Sequence, residues 1–311
     1  AFANPWLAEQ EDQARLDLAQ LVAEGDRLAF STDSYVIDPL FFPGGNIGKL
    51  AICGTANDVA VSGAIPRYLS CGFILEEGLP METLKAVVTS MAETARAAGI
   101  AIVTGDTKVV QRGAADKLFI NTAGMGAIPA NIHWGAQTLT AGDVLLVSGT
   151  LGDHGATILN LREQLGLDGE LVSDCAVLTP LIQTLRDIPG VKALRDATRG
   201  GVNAVVHEFA AACGCGIEIS ESALPVKPAV RGVCELLGLD ALNFANEGKL
   251  VIAVERNAAE QVLAALHSHP LGKDAALIGE VVERKGVRLA GLYGVKRTLD
   301  LPHAEPLPRI C

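Results

Sequence analysis

Hydrophobic and polar positions along the chain follow two alternating periods. Residues 81–98 carry the clearest three- and four-residue repeat, with Leu84, Val87, Val88, Met91, Ala95 and Ala98 on one stripe and Gly99 ending it. That spacing predicts an amphipathic helix. Residues 48–64, GKLAICGTANDVAVSGA, are rich in small side chains and predict a closely packed helix. Strands are expected at 27–37, 67–76, 100–106 and 117–128, and the polar stretch 5–26 reads as loop or short helix.

Beyond residue 140 the pattern begins again with a strand, a glycine loop and a helix. Helices are expected at 153–165, 175–187, 200–212, 228–238 and 257–268, and strands at 216–220, 249–254, 275–282 and 286–290. The stretch around 129–141 has Pro, Asn and Gly but no period, which marks a boundary. The expected architecture is α/β (α+β), with two domains, 1–130 and 131–298, each a mixed sheet packed with helices. A tail, 299–311, contains Pro302, Pro306 and Pro308, which forbid a helix and favour an extended, flexible arm. Ten such residues reach about 30 Å, enough to carry the last residue, Cys311, to a distant cleft.

Composition narrows the class. Hydrophobic residues make up 49% and charged residues 20% of the 311, as in a soluble globular protein. The net charge of −11 disfavours a nucleic-acid binder. No apolar run is long enough to span a membrane. Seven cysteines, scattered and odd in number, fit a reducing cytoplasm, and Cys213-x-Cys215 lacks the second pair that a zinc site needs. No signal peptide is visible; the chain begins at Ala1, not Met, so a preceding segment is expected to be missing from this sequence.

Three aspartates, Asp33, Asp58 and Asp106, lie at expected strand ends or beside small residues. Converging on a cleft, they would hold a hard cation such as Mg²⁺; as turn and cap residues they would do nothing of the kind. FFPGGNIGK (41–49) fails as a phosphate-binding P-loop, because Pro43 and Leu50 stand where that motif needs Gly and Ser/Thr. GTLGDHG (149–155) follows a strand and opens a helix, so its N–H groups would face either an anion or only a turn. RDATRGGVN (195–203) brings Asp196 and Arg199 to paired glycines, as phosphate or metal contacts or as caps. Glu247, just before an apolar strand, is either a general base or a solvent-facing carboxylate. The histidines show no metal spacing beyond the pair at 267 and 269, and no serine-hydrolase elbow is present.

Taken together, STDSYVIDPLFFPGGNIGKLAICGTANDVAVSGAIPRYLS, GDTKVV, DATRGGVN, ANEGKLV and the terminal PRIC resemble the HypE family of hydrogenase maturation proteins over essentially the whole chain. That family has the ATP-binding fold of aminoimidazole ribonucleotide synthetase, and the terminal cysteine separates it from its relatives. It usually carries a glycine-rich N-terminal segment, which this sequence lacks. The resemblance implies an ATP-dependent carbamoyl dehydratase. The partner HypF places a carbamoyl group on Cys311, the group is dehydrated to a thiocyanate, and the cyanide passes to iron on a HypC–HypD complex.

By the same resemblance, Glu247 is the base and Lys108 neutralises charge on the phosphoryl or amide oxygen. Mg²⁺–ATP falls to Asp33, Asp58 and Asp106 with Asn57 and Asp196, and phosphate contact to Lys49, Arg199, Gly200 and Gly201. A homodimer is implied, with first-domain strands forming a shared barrel. Two other readings are a small-molecule ATP-dependent synthetase or kinase of the same fold, which would leave the tail inert, and a non-catalytic nucleotide-binding scaffold.

Overall fold

The computed structural model describes residues 1–167, 169, 171–291, 293–302 and 308–311. The chain divides into two units. The first comprises Ala1–Ile132 with Cys175–Thr179 and Arg309–Cys311; the second comprises His133–Asp174 and Pro180–Pro308. The expected boundary at 130/131 thus falls two residues early, and two distant segments belong to the first unit.

In the first unit, helices α1 (Pro5–Ala8) and α2 (Leu18–Glu24) precede strand β1 (Arg27–Tyr35) and the short pair β2 (Phe41–Phe42) and β3 (Gly45–Asn46). Helix α3 (Ile47–Ala60), β4 (Ile65–Glu76), α4 (Met81–Ala97), β5 (Ala101–Val110) and β6 (Leu118–Ile128) follow. The four long strands form one sheet in the order β1-β6-β4-β5. Helix α3 starts where the Asn46 side chain accepts the N–H groups of Gly48 and Lys49. It is buried almost all round, which explains its small residues. A Cβ on Gly48 would sit 2.4 Å from the Val87 carbonyl oxygen, and one on Gly54 2.3 Å from the Tyr35 hydroxyl. The α4 stripe buries Val87, Met91 and Ala95, as its period requires.

The second unit contains β7 (Val144–Val147), α5 (Asp153–Glu163), α6 (Thr179–Gln183, begun on the last residue of the 175–179 segment), β8 (Val191–Asp196), α7 (Gly201–Cys213) and β9 (Gly216–Ser220). Then come α8 (Pro228–Leu237), β10 (Leu250–Val254), α9 (Ala259–His267), β11 (Ala276–Val282), β12 (Gly286–Ala290) and β13 (Lys296–Thr298). Its sheet runs β13-β12-β9-β11-β7-β10-β8, antiparallel except for β12 beside β9. VLLV of β7 and LVIAV of β10 are buried at every position, so they read as unbroken apolar runs.

Three expectations change. The helix over 175–187 shrinks to α6, because Pro180 has no N–H to give the Ala176 carbonyl. That carbonyl accepts instead from the Asn57 amide, 3.0 Å away, and Asn57 Oδ1 accepts the Leu178 N–H at 2.7 Å. Strands β8 and β13 were not expected. The tail is also held where it is described. Leu299 is buried, its carbonyl lies 2.8 Å from His207 Nε2, and the Asp300 carbonyl accepts from Asn203. Residues Arg309–Cys311 pack into the first unit, whereas Pro306 lies outside the described residues. No helix among the described residues is long and apolar enough to cross a membrane.

Candidate active site

The second unit gathers three of the sequence stretches at one end of its sheet. Strand β10 runs antiparallel to both β7 and β8, with Val251 opposite Val147 and Leu250 opposite Asp196. The start of β10 therefore meets the ends of its two neighbours, and ANEGK, GTLGDHG and DATRGG converge. Asn246 ties them together. Its Oδ1 accepts the Gly152 N–H at 2.8 Å, and its amide nitrogen donates to the Ala197 and Phe244 carbonyls at 2.9 Å. Asn246 is fully buried, and the sequence reading passed over it, since one asparagine beside a glutamate carries no spacing signal.

Glu247 follows Asn246 and is 2% exposed, so the solvent-facing alternative fails. Its backbone N–H donates to Asp174 Oδ1 at 3.0 Å, while Asp174 Oδ2 accepts from Lys249 Nζ at 3.1 Å. Next to Asp174, the Ser173 hydroxyl lies 2.7 Å from Nδ1 of the buried His154. Burial opposes charge on Asp174, but Lys249, the Glu247 N–H and His154 outweigh it and hold the carboxyl below its ordinary value. Asp174, Lys249 and His154 escaped the sequence reading because no motif links positions so far apart in the chain. Asp196 ends β8 in a buried position and Arg199 is exposed.

The glycine loops are closely packed. In 149–155 the Gly152 N–H is taken by Asn246 and the Gly155 N–H by the Ala245 carbonyl. Asp153, at the start of α5, is paired with Lys227 at 2.9 Å. The Leu151, Gly152 and Gly155 amides of that loop are therefore spent inside the fold. Gly200 has φ +77°, and a Cβ on Gly201 would stand 2.4 Å from the Leu242 carbonyl oxygen, so this pair permits close approach of α7.

In the first unit, Asp106 and Lys108 lie on β5 as an exposed ion pair of 2.9 Å. Lys108 and the Thr107 N–H hold the Asp106 carboxyl below its ordinary value. Asp58 on α3 accepts from the Ser31 hydroxyl at 2.7 Å, and Asp33 on β1 accepts the Ser34 N–H. Register separates the three aspartates. Asp33 lies in the row Asp33, Thr122, Cys71 and Gly105, whereas Asp106 lies in the next row with Ser34, Asn121 and Gly72. Adjacent rows point to opposite faces, and β1 and β5 are the two edges of the sheet, about 14 Å apart. Thr122 bonds Thr55 of α3, so Asp33 and Asp58 share the α3 side and Asp106 faces away. Convergence of Asp33, Asp58 and Asp106 in one chain is thereby corrected. Among the described residues, no group of three or more His, Cys, Asp and Glu side chains is placed to hold a metal ion.

Asn57 is committed to the 175–179 segment, and Lys49 donates to the Gly44 carbonyl at 2.8 Å, closing the β2–β3 hairpin. Cys311 ends the chain with its carbonyl accepting the Val36 N–H at 2.9 Å.

The two units coincide with two matched families, the AIR synthase related protein N-terminal domain over residues 10–128 and its C-terminal domain over 140–291. Carbamoyl dehydratase HypE of Escherichia coli (strain K12) is 99% identical over 311 residues, covering 100% of this chain and 93% of that protein. The chain belongs to the HypE family. A solved structure of hydrogenase maturation protein HypE in complex with ATP is 46% identical, with TM-score 0.94 over 100% of this chain and 93% of that one. A structure of a HypE–HypF complex matches with 46% identity and TM-score 0.87 over 97% of each chain. HypE membership sets aside the small-molecule synthetase or kinase and the scaffold, and gives the terminal cysteine its place in the reading.

Proposed function

We propose that this chain is an ATP-dependent carbamoyl dehydratase acting on a carbamoyl group carried by its own Cys311, to supply the cyanide ligand of iron in [NiFe] hydrogenase maturation. Near-identity to a carbamoyl dehydratase carries the reading. The amide oxygen of a thiocarboxamide is a poor leaving group. Phosphorylation turns it into a good one, and loss of phosphate with two N–H protons leaves the thiocyanate. Glu247 is the base that takes a proton, a role supported by its burial on a loop fixed by Asn246 and Asp174. Lys108 offsets charge on the oxygen as it is phosphorylated, and its exposure leaves it accessible to a ligand.

Asp58 and Asp33, hard oxygen donors on one side of the sheet, would hold Mg²⁺ together with phosphate oxygens; bound there, the ion supplies charge neutralisation. Asp106 joins such a site only from another direction, which fits a homodimer. The exposed Leu28 and Phe30 on β1, on the face away from α3, support a shared barrel at that face. HypF as carbamoyl donor is supported by the complex formed by a relative, and a HypC–HypD complex is the proposed acceptor. The reaction is assigned to the cytoplasm, with seven cysteines among which no disulfide forms as support.

The test is intact mass after incubation with HypF, carbamoyl phosphate and ATP. A carboxamide on Cys311 that then loses one water is expected, and Cys311→Ala shows neither. An adduct on another cysteine would sink the reading.

A further inference from the structure

The loop between β5 and β6, QRGAADK (111–117), has no place in the reaction above, yet it is built with care. Both oxygens of Glu76 accept main-chain N–H groups from it, Gly113 at 2.6 Å and Lys117 at 3.0 Å. Lys117 adopts φ +64° and reaches Asp38 at 2.7 Å. Asp116, whose Oδ1 lies 3.8 Å from Lys117 Nζ, points its other carboxylate oxygen at Arg309 with a contact of 2.5 Å. The same guanidinium donates through Nε to the Val36 carbonyl at 2.9 Å.

The last three residues complete the arrangement. The Val36 N–H donates to the Cys311 carbonyl at 2.9 Å and the Asp38 N–H to the Arg309 carbonyl at 3.5 Å, in the alternating pattern of an antiparallel pair. Ile310 between them is 2% exposed. Thus a buried Ile310, two main-chain bonds, the Arg309 Nε–Val36 bond and the Asp116–Arg309 ion pair are among the contacts that hold the end of the chain. Of the contacts named, the Asp116–Arg309 ion pair is the one made by a side chain of the β5–β6 loop.

We propose that the β5–β6 loop is the dock of the carrier tail, in which Asp116 grips Arg309 and so sets how often the Cys311 thiol leaves the protein surface. The inference rests on Cys311 being the carrier. A carrier must be held for one step and released to partners for others, so its dock should be strong enough to order three residues and weak enough to open. A partly exposed ion pair meets that need, because its strength is modest and screened by salt. Arg309 and Asp116 are positioning residues here; neither touches the reacting group.

The test uses no ATP and no carbamoyl donor, so it remains readable if the dehydratase reading fails. The rate of Cys311 alkylation by iodoacetamide is followed by intact mass and peptide mapping. Each rate is divided by that of the matching isolated hexapeptide, PLPRIC or its Arg309→Ala form. Asp116→Asn and Arg309→Ala should each speed Cys311 about two- to fivefold, as expected for loss of one partly exposed charged contact. Cys234, whose thiol burial pushes up to about 11, should keep its slow rate in every variant. The exchange Asp116→Arg with Arg309→Asp should return the rate toward that of the parent. Added KCl should speed the parent and leave the single variants unchanged. Cys311 rates within about twofold of the parent in both single variants, or an exchange no better than either, would overturn the dock.

Discussion

Each unit carries a lysine–aspartate pair of similar length in opposite surroundings. Lys108 and Asp106 meet at 2.9 Å with side chains 71% and 66% exposed; Lys249 and Asp174 meet at 3.1 Å with 11% and 3%. Water already solvates the first pair, so forming it gains little and exchanging partners costs little. The second has been desolvated in the fold, so each charge depends on the other. The first pair can therefore turn to an incoming ligand. The second holds still, and through the Glu247 N–H it fixes the loop that presents Glu247, the proposed base. The contrast between a movable charge and a fixed frame underlies the proposed mechanism.

The largest effect should come from breaking the fixed pair. Lys249→Met leaves the Asp174 charge buried without its counter-ion and should lower unfolding free energy by about 3–5 kcal/mol in urea titration. Adding Asp174→Leu should recover much of that loss, since removing both charges also removes the desolvation cost. If the single variant is as stable as the parent, the pair is not the frame. The movable pair should behave the other way. Lys108→Ala should cut single-turnover dehydration about 10²–10³-fold, the scale of a lost charge-stabilising donor, while the urea midpoint stays in place. A shifted midpoint would make Lys108 structural.

Acid sharpens the contrast further. The Asp174 carboxyl titrates below its unfolded value, so its stabilisation is complete above the ordinary carboxylate range near pH 3.9 and is lost as pH falls through the lower folded value. Urea midpoints of the parent should therefore fall below about pH 4 more steeply than those of Asp174→Asn. Equal slopes would mean that Asp174 is not charged in the fold. The smallest effect is expected for Asp106→Asn, which should leave the urea midpoint unchanged because the pair is solvated.

Much of the fold was legible because local pattern and burial agree. The α4 stripe, the small residues of α3 and the unbroken apolar runs of β7 and β10 each report a packing demand that acts on their own segment. Legibility failed where a distant residue decided the outcome. Whether 176–178 is helix depends on Asn57, more than a hundred residues away. Strand β8 shows no clean alternation, and its pairing with β10 makes it a strand. The site divides in the same way. Glu247, Lys108 and Cys311 stood out through a motif or a chain position, whereas Asp174 and Asn246 matter only through the contacts that folding creates. The spacing of Asp33, Asp58 and Asp106 suggested one cluster, and only strand register showed two faces.

The proposed mechanism stands on Glu247 as the base for dehydration of the group on Cys311. Glu247→Gln keeps the size and polarity of the side chain and removes the proton acceptor. Intact mass is followed after carbamoylation by HypF and addition of ATP. The variant should gain the carboxamide on Cys311 as the parent does and then stop, with the adduct persisting while the parent loses one water. Loss of water at the parental rate in Glu247→Gln would contradict that role.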